Sequence, residues 1–385
     1  MRKFFNLLMA FSIFSLIFLN SCGVDILEPL GENSYYVVRY SSGSPKRDIA
    51  STDYIGNTAN LQIYAESGYS YSLYNIRQVA QKFENNYRQM INIYGSHTDM
   101  DNNGKIKLLF VDINKNNNSD SYVIGYFLQN DLIYGSANNG EILYMDINLL
   151  NSSPDTIAGT VLHEFQHLIN FNVNYLKKGK EMSLWLDECL AESTAILFDD
   201  SVVKTRIKEF NDIDYYCFYT WNLPTSLYGF VNYPSASVFM NWIYTRYQKN
   251  PNIFKNIAKS TEIEDYNKVL KAVSGLNATD FGDLLTKWIS GINSGKVSGA
   301  KLKERSSANL YPGAAIWDGS QVRVNSSTVL SDNPSYITVS KGNSISGRSA
   351  INNDEEEISL QNTENNQKTK YIDLVFDING KIREY

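Results

Sequence analysis

Apolar positions recur along this chain with two different periods, and the switches between them outline its elements. From Leu73 to Ile93 they fall at Ile76, Val79, Ala80, Phe83, Tyr87 and Met90, a spacing that predicts a helix. Lys105 to Val111 and Gly140 to Ile147 are short, dense apolar runs and read as strands. Ser153-Pro154-Asp155 then opens a second helix, because serine caps, proline fits the first turn and aspartate favours the positive helix end. Ile157, Val161, Phe165, Leu168 and Ile169 continue that helix. Leu184 to Leu197 predicts another, and the residues after Pro234 a further one with Val238, Trp242 and Ile243 toward the core. Helical spacing persists to about residue 293 through Phe281, Leu284, Leu285, Trp288 and Ile289. From about residue 299 the pattern shortens to alternating segments, Ser320 to Val329, Ser335 to Val339 and Tyr371 to Phe376, which predicts a small β-rich module.

The N-terminus follows neither period. Arg2 and Lys3 precede an apolar stretch from Phe4 to Leu19, shorter than the about 20 residues of a spanning helix and flanked like a signal peptide. Leu19-Asn20-Ser21-Cys22 resembles a bacterial lipobox, with Asn20 in place of the usual small residue. The expectation is a lipoprotein of the cell envelope, anchored through lipid on Cys22 at an outer or cytoplasmic membrane surface. An uncleaved anchor and a plain signal peptide are the alternatives, and both also export the chain. Residues 23–50, rich in Gly, Ser and Pro, read as a tether. The expected organisation is a signal peptide over 1–22, a tether over 23–50, a main domain over 51–298 and the β-rich module over 299–385.

Composition narrows the class. The 385 residues are 43% hydrophobic and 20% charged, as in a soluble globular protein. A net charge of −6 without a long basic run excludes a nucleic-acid partner from the expectation. Beyond Cys22, the cysteines are Cys189 and Cys217, which either pair after export or pack as small apolar residues. The acidic run Asp354 to Glu357 reads as a solvated loop. Asp99, Asp101, Asn103 and Gly104 open like a calcium loop, but its twelfth position is Phe110 rather than Glu. A turn between helix and strand is the leading reading there, and a calcium site the lesser one.

The chemistry concentrates in His163-Glu164-Phe165-Gln166-His167. A helix places positions i and i+4 on one face, so His163 and His167 present two imidazoles to one zinc ion. Glu164, one position on, is set to take a proton from its water. The chain has three histidines and two of them fall in this pattern. An extended motif with a third histidine fails, because Asn170 and Val173 stand where Gly and His are required, and His97 lies far upstream. A carboxylate is then expected, and Trp185-Leu186-Asp187-Glu188-Cys189-Leu190-Ala191-Glu192 supplies candidates on the next helix.

That segment resembles the second zinc-binding helix of the glutamate-zincins. The resemblance implies Glu188 as the third metal ligand and Glu192, one turn on, as hydrogen-bond partner of His163. Asp187 replaces a common Asn and ranks second as a ligand. The succession Asp99-Met100-Asp101-Asn102-Asn103-Gly104-Lys105-Ile106, Gly125-Tyr126-Phe127, Glu141 to Asp146 and the two zinc segments is similar to the hyicolysin-like neutral metallopeptidases over roughly residues 60 to 250. It implies an α+β, zincin-like fold whose edge strand, here Glu141 to Ile147, receives an extended peptide or protein substrate. It further implies an oxyanion donor from a Tyr or His beyond the zinc helices. No histidine follows His167, so Tyr233 is the first candidate and Tyr228 the second, with Asn232 and Arg246 unranked. The rival reading is a non-catalytic surface lipoprotein, an adhesin or binding module on a degenerate peptidase fold.

Overall fold

The structure is a computed structural model. It describes residues 31, 33–41, 44–117, 121–133, 138–221, 223, 231–331, 333–341, 346–347 and 370–372. Strand β1 (Ser34–Ser41) turns back into the long β2 (Ser44–Asn57), and β2 pairs antiparallel with β3 (Leu61–Glu66). Helix α1 (Leu73–Tyr94) crosses to β4 (Ile106–Val111), which runs parallel to β3. After β5 (Ser121–Val123) and β6 (Gly125–Phe127), the chain returns as β7 (Ile142–Asp146), parallel to β4 and antiparallel to β6. The sheet order is β1-β2-β3-β4-β7-β6.

Alternation across the pleat builds two apolar layers. On one face Ile63, Leu108, Phe110, Leu143 and Met145 join the core shared with the helices. On the other Tyr64, Leu109, Val111, Tyr126 and Tyr144 pack with Tyr35, Val37 and Val38 of β1. Both faces of β4 and β7 are largely buried, which is why each reads as a dense apolar run, broken in β4 by the half-buried Lys107.

Two expectations are corrected here. Residues 34–41 and 44–50 lie in β1 and β2 and pair into the main sheet, so that part of the expected tether is folded. Its flanking Ser, Gly and Pro residues mask a strand whose Tyr35, Val37, Val38 and Tyr40 side chains are buried. The expected edge strand, Glu141 to Ile147, is interior: β7 lies between β4 and β6, and β6 borders the sheet. Gly125 makes that close pairing possible, since a Cβ there would meet the Tyr144 carbonyl at 2.8 Å.

Helices follow in quick succession. Asp146 ends β7 and caps α2 (Ile147–Ser152) by accepting from the amides of Asn148 and Leu149. Next come α3 (Pro154–Asn170), a π-helical turn over Phe171–Leu176, α4 (Leu184–Phe198) and α5 (Asp200–Asp212). Then α6 (Asn232–Arg246), α7 (Asn252–Ala258), α8 (Asp265–Ala272) and α9 (Phe281–Asn293) complete the helical part. The strands beyond are short. β8 (Ser307–Leu310), β9 (Ala315–Trp317), β10 (Val322–Val324), β11 (Ile337–Ser340) and β12 (Ser346–Gly347) form two small sheets, β12-β11-β8 and β10-β9. Leu310, Ala315, Ile316 and Val339 share the apolar core of the helices. The backbone of β13 (Lys370–Ile372) pairs in parallel with β5. Among the described residues no helix is long and apolar enough to cross a membrane. Cys22 and the acidic run Asp354 to Glu357 lie outside the described residues.

Candidate metal centre

Helix α3 is held from three sides. Phe165 packs against Phe83 at 5.0 Å between ring centroids and stacks on Tyr87 at 5.6 Å, both on α1. Gly159, one turn before His163, lets the helix approach the start of α5, where a Cβ would sit 3.0 Å from Asp199. Asp199 in turn caps α5 and is ion-paired with Lys82 of α1. The π-helical turn continues α3, and within it the Asn172 side chain donates to the Ser96 carbonyl at 2.6 Å. These contacts fix the rotation of α3 and hence the direction of its histidines.

His163 and His167 stack edge to face, 4.9 Å between centroids. Opposite them, α4 carries Glu188, whose side chain is almost fully buried while the two imidazoles keep 12% and 13% exposure. Glu188 Oε2 lies 3.4 Å from His163 Nε2 and 3.7 Å from His167 Nε2. One donor atom from each of the three residues falls within 4.8 Å of the others. Ligands about 2.0–2.1 Å from a tetrahedral ion are themselves roughly 3.3 Å apart, so two nitrogens and one carboxylate oxygen at this spacing suit a metal ion. Partial exposure of the imidazoles leaves a side on which water or substrate can approach.

The chain is similar to a known metalloprotease. It is 25% identical over 239 residues to the neutral metalloprotease ShpI of Staphylococcus hyicus. The match covers 58% of this chain and 53% of that protein, so the chain spans about half the length of the relative it matches. No family model matches the chain.

Behind the three donors stands a layer of carboxylates. Asp187 Oδ2 is 3.0 Å from His167 Nδ1, the ring nitrogen facing away from Glu188. Asp187 therefore sits against the outer nitrogen of a histidine, not among the three donors. Its other oxygen accepts from the Asn170 amide at 2.6 Å, and Asn170 is held by Asn174 from the π-helical turn. The sequence offered a signal for this in the adjacency of Asp187 and Glu188, but not the direction of the side chain. Burial alone lowers the pKa of His167. The Asp187 and Glu188 carboxylates overcome that and carry it well above the ordinary histidine value.

Glu192 Oε1 lies 3.9 Å from His163 Nδ1. Arg206 of α5 grips Glu192 with two bonds, Nε to Oε2 at 3.1 Å and Nη2 to Oε1 at 2.8 Å. Arg206 was not legible as a site residue, since nothing in the spacing of α5 links it to α4. Its guanidinium also lies 5.0 Å from the ring centroid of Tyr233. Tyr233 is buried and packs edge-on against Trp221.

Glu164 is buried, and its carboxylate is among the charges that raise the His167 pKa. His97 stands apart from the three donors. It pairs with the Tyr87 hydroxyl at 2.8 Å and packs on Phe165. Asn232 is buried and donates to the Thr220 carbonyl, Arg246 is exposed at the end of α6, and Tyr228 lies outside the described residues. Cys189 and Cys217 are buried free thiols. Burial pushes the Cys217 pKa up to about 12 and that of Cys189 well above its ordinary value, which leaves both unreactive.

Proposed function

We propose that the chain is a zinc-dependent endopeptidase with a zincin-like architecture, anchored to the cell envelope through lipid on Cys22. The observation that carries the reading is the convergence of His163 Nε2, His167 Nε2 and Glu188 Oε2 from two facing helices. Similarity to a neutral metalloprotease supports a protein or peptide substrate. When bound there, zinc supplies Lewis acidity, lowering the pKa of a coordinated water to about 7. Glu164 takes the proton of the attacking water and delivers it to the leaving amine. Asp187 holds the outer nitrogen of His167, which fixes that ring, and Glu192 places its charge 3.9 Å from the outer nitrogen of His163. Tyr233, beneath Arg206, is assigned as the hydrogen-bond donor to the developing oxyanion. The bordering strand β6 offers backbone groups to an extended substrate.

The experiment is a digest of casein and of a peptide library by the purified full chain, beside Glu164→Ala and a chelator control. Cleavage by the native chain, abolished by chelation and restored by zinc, is expected. Activity that survives Glu164→Ala overturns the assigned mechanism. Absence of zinc from the purified chain by elemental analysis, with no cleavage, points instead to a non-catalytic surface lipoprotein.

A further inference from the structure

A second group of ligand-type side chains lies at the N-terminal end of the parallel strands β4 and β7, where the loop between α1 and β4 meets the start of β7. Asp99 and Asp101 are exposed on that loop, and Glu141 is buried immediately before β7. One carboxylate oxygen from each falls within 4.8 Å of the other two. Oxygens each about 2.4 Å from a shared calcium ion are separated by at most about 4.8 Å.

Proximity of acids alone would mean little. The informative atom is Glu141 Oε2. Glu141 Oε1 accepts from the Met100 amide at 2.9 Å, which turns the carboxylate toward the loop. Oε2 is buried and has no hydrogen-bond partner among the described residues, and the residue as a whole is 1% exposed. A buried carboxylate oxygen without a donor is costly unless a cation or hydrogen bond compensates it. The ammonium of Lys107 pairs with Asp101 and does not reach Oε2.

We propose that Asp99, Asp101 and Glu141 form a binding site for a hard divalent cation of the calcium class. Three carboxylates with no nitrogen or sulfur donor favour calcium over zinc, and water completes the shell. On binding, Lys107 gives up Asp101, and the ion takes the exchanged charge. The site bears on α3 through packing. His97, two residues before Asp99, contacts Phe165 of the His163 helix, and Ser96 accepts from Asn172. A cation here therefore stiffens the loop that supports the metal-binding helix.

Calcium chloride titrated calorimetrically into the full chain, previously freed of calcium by a selective chelator, tests this without reference to catalysis. A binding event with Kd on the order of 10⁻⁴ to 10⁻³ M, the range of extracellular calcium modules, is expected together with a raised melting temperature. Glu141→Gln retains the Met100 bond and should weaken binding at least tenfold. Asp99→Asn, at an exposed position that leaves the core untouched, should weaken it severalfold. Lys107→Met removes the competing ammonium and should tighten it. Absence of heat and of any melting shift at about 10 mM calcium overturns the site. So does calcium binding by Glu141→Gln or Asp99→Asn equal to that of the native chain.

Discussion

Asp187 Oδ2 lies 3.0 Å from His167 Nδ1, and Glu188 Oε2 lies 3.7 Å from the other ring nitrogen, so the His167 imidazole has a carboxylate at each of its nitrogens. The Asp187 carboxylate selects the tautomer that leaves Nε2 free to ligate and makes the imidazole a stronger donor. Under the proposed function, Asp187→Ala should lower zinc affinity about 10- to 100-fold. Asp187→Asn retains a polar partner and should lose less. Competition with a chromophoric chelator measures both. Equal affinity in Asp187→Ala and the native chain would show that the helix packing alone orients the ring.

Arg206 presents the complementary case on His163. Glu192 is nearly fully buried, and the two bonds from Arg206 compensate its charge. Removing one partner of a fully buried pair costs about 3–5 kcal/mol. Arg206 retains 22% side-chain exposure, so water relieves part of that cost and roughly 1–3 kcal/mol is expected for Arg206→Met. Chemical denaturation should show it, and Glu192→Gln with Arg206→Met should lose less than the two single losses combined. Additive losses would mean that the two residues act separately.

These two helices also show what the sequence could convey. His163 and His167 were legible because one helix carries both, and four-residue spacing makes them neighbours whatever the rest of the fold does. Glu188 lies on another helix, and no local periodicity says that α4 faces α3. Its place came from resemblance, and the structure puts its carboxylate beside both imidazoles. Arg206 and Asp187 act through directions of side chains, which depend on how helices rotate against each other. The same limit produced the errors in the sheet. β7 reads as a strand from its apolar run, but whether a strand is interior or at an edge depends on its neighbours. β6 is three residues long, too short to display a period. β1 was hidden because Gly, Ser and Pro around it outweighed six residues of Tyr, Val and Arg in a composition reading.

Gly125 sits where β6 presses on β7. A Cβ there would approach the Tyr144 carbonyl and Met145 Sδ, both at 2.8 Å. The carbonyl belongs to an interior strand and cannot move aside as a side chain end would. Gly125→Ala should therefore destabilise by about 1–3 kcal/mol, the usual cost of overpacking. Under the peptidase reading it should also raise KM for long peptide substrates more than for short ones, because the bordering strand is displaced. Unchanged stability would show that β6 shifts freely along the sheet edge.

The buried pair of Asp131 and Tyr144 sets a pH dependence. Tyr144 donates its hydroxyl to Asp131 Oδ2 at 2.5 Å and the Asn138 amide donates to Oδ1 at 3.1 Å. Burial nonetheless outweighs these bonds and raises the Asp131 pKa from its ordinary 3.8 to about 7. A carboxyl whose folded pKa exceeds its unfolded one binds more protons when folded. Stability from this group is therefore greatest below the unfolded value, falls as pH rises between 3.8 and about 7, and levels off above. The loss across that window is at most about 4 kcal/mol, since each pH unit between the folded and unfolded values contributes about 1.36 kcal/mol. Asp131→Asn carries no charge at any pH and should flatten this component. Urea midpoints from pH 5 to 8 should then decline less steeply with pH in the variant than in the native chain. Parallel declines would mean that Asp131 stays ionised throughout, held by Tyr144 and Asn138.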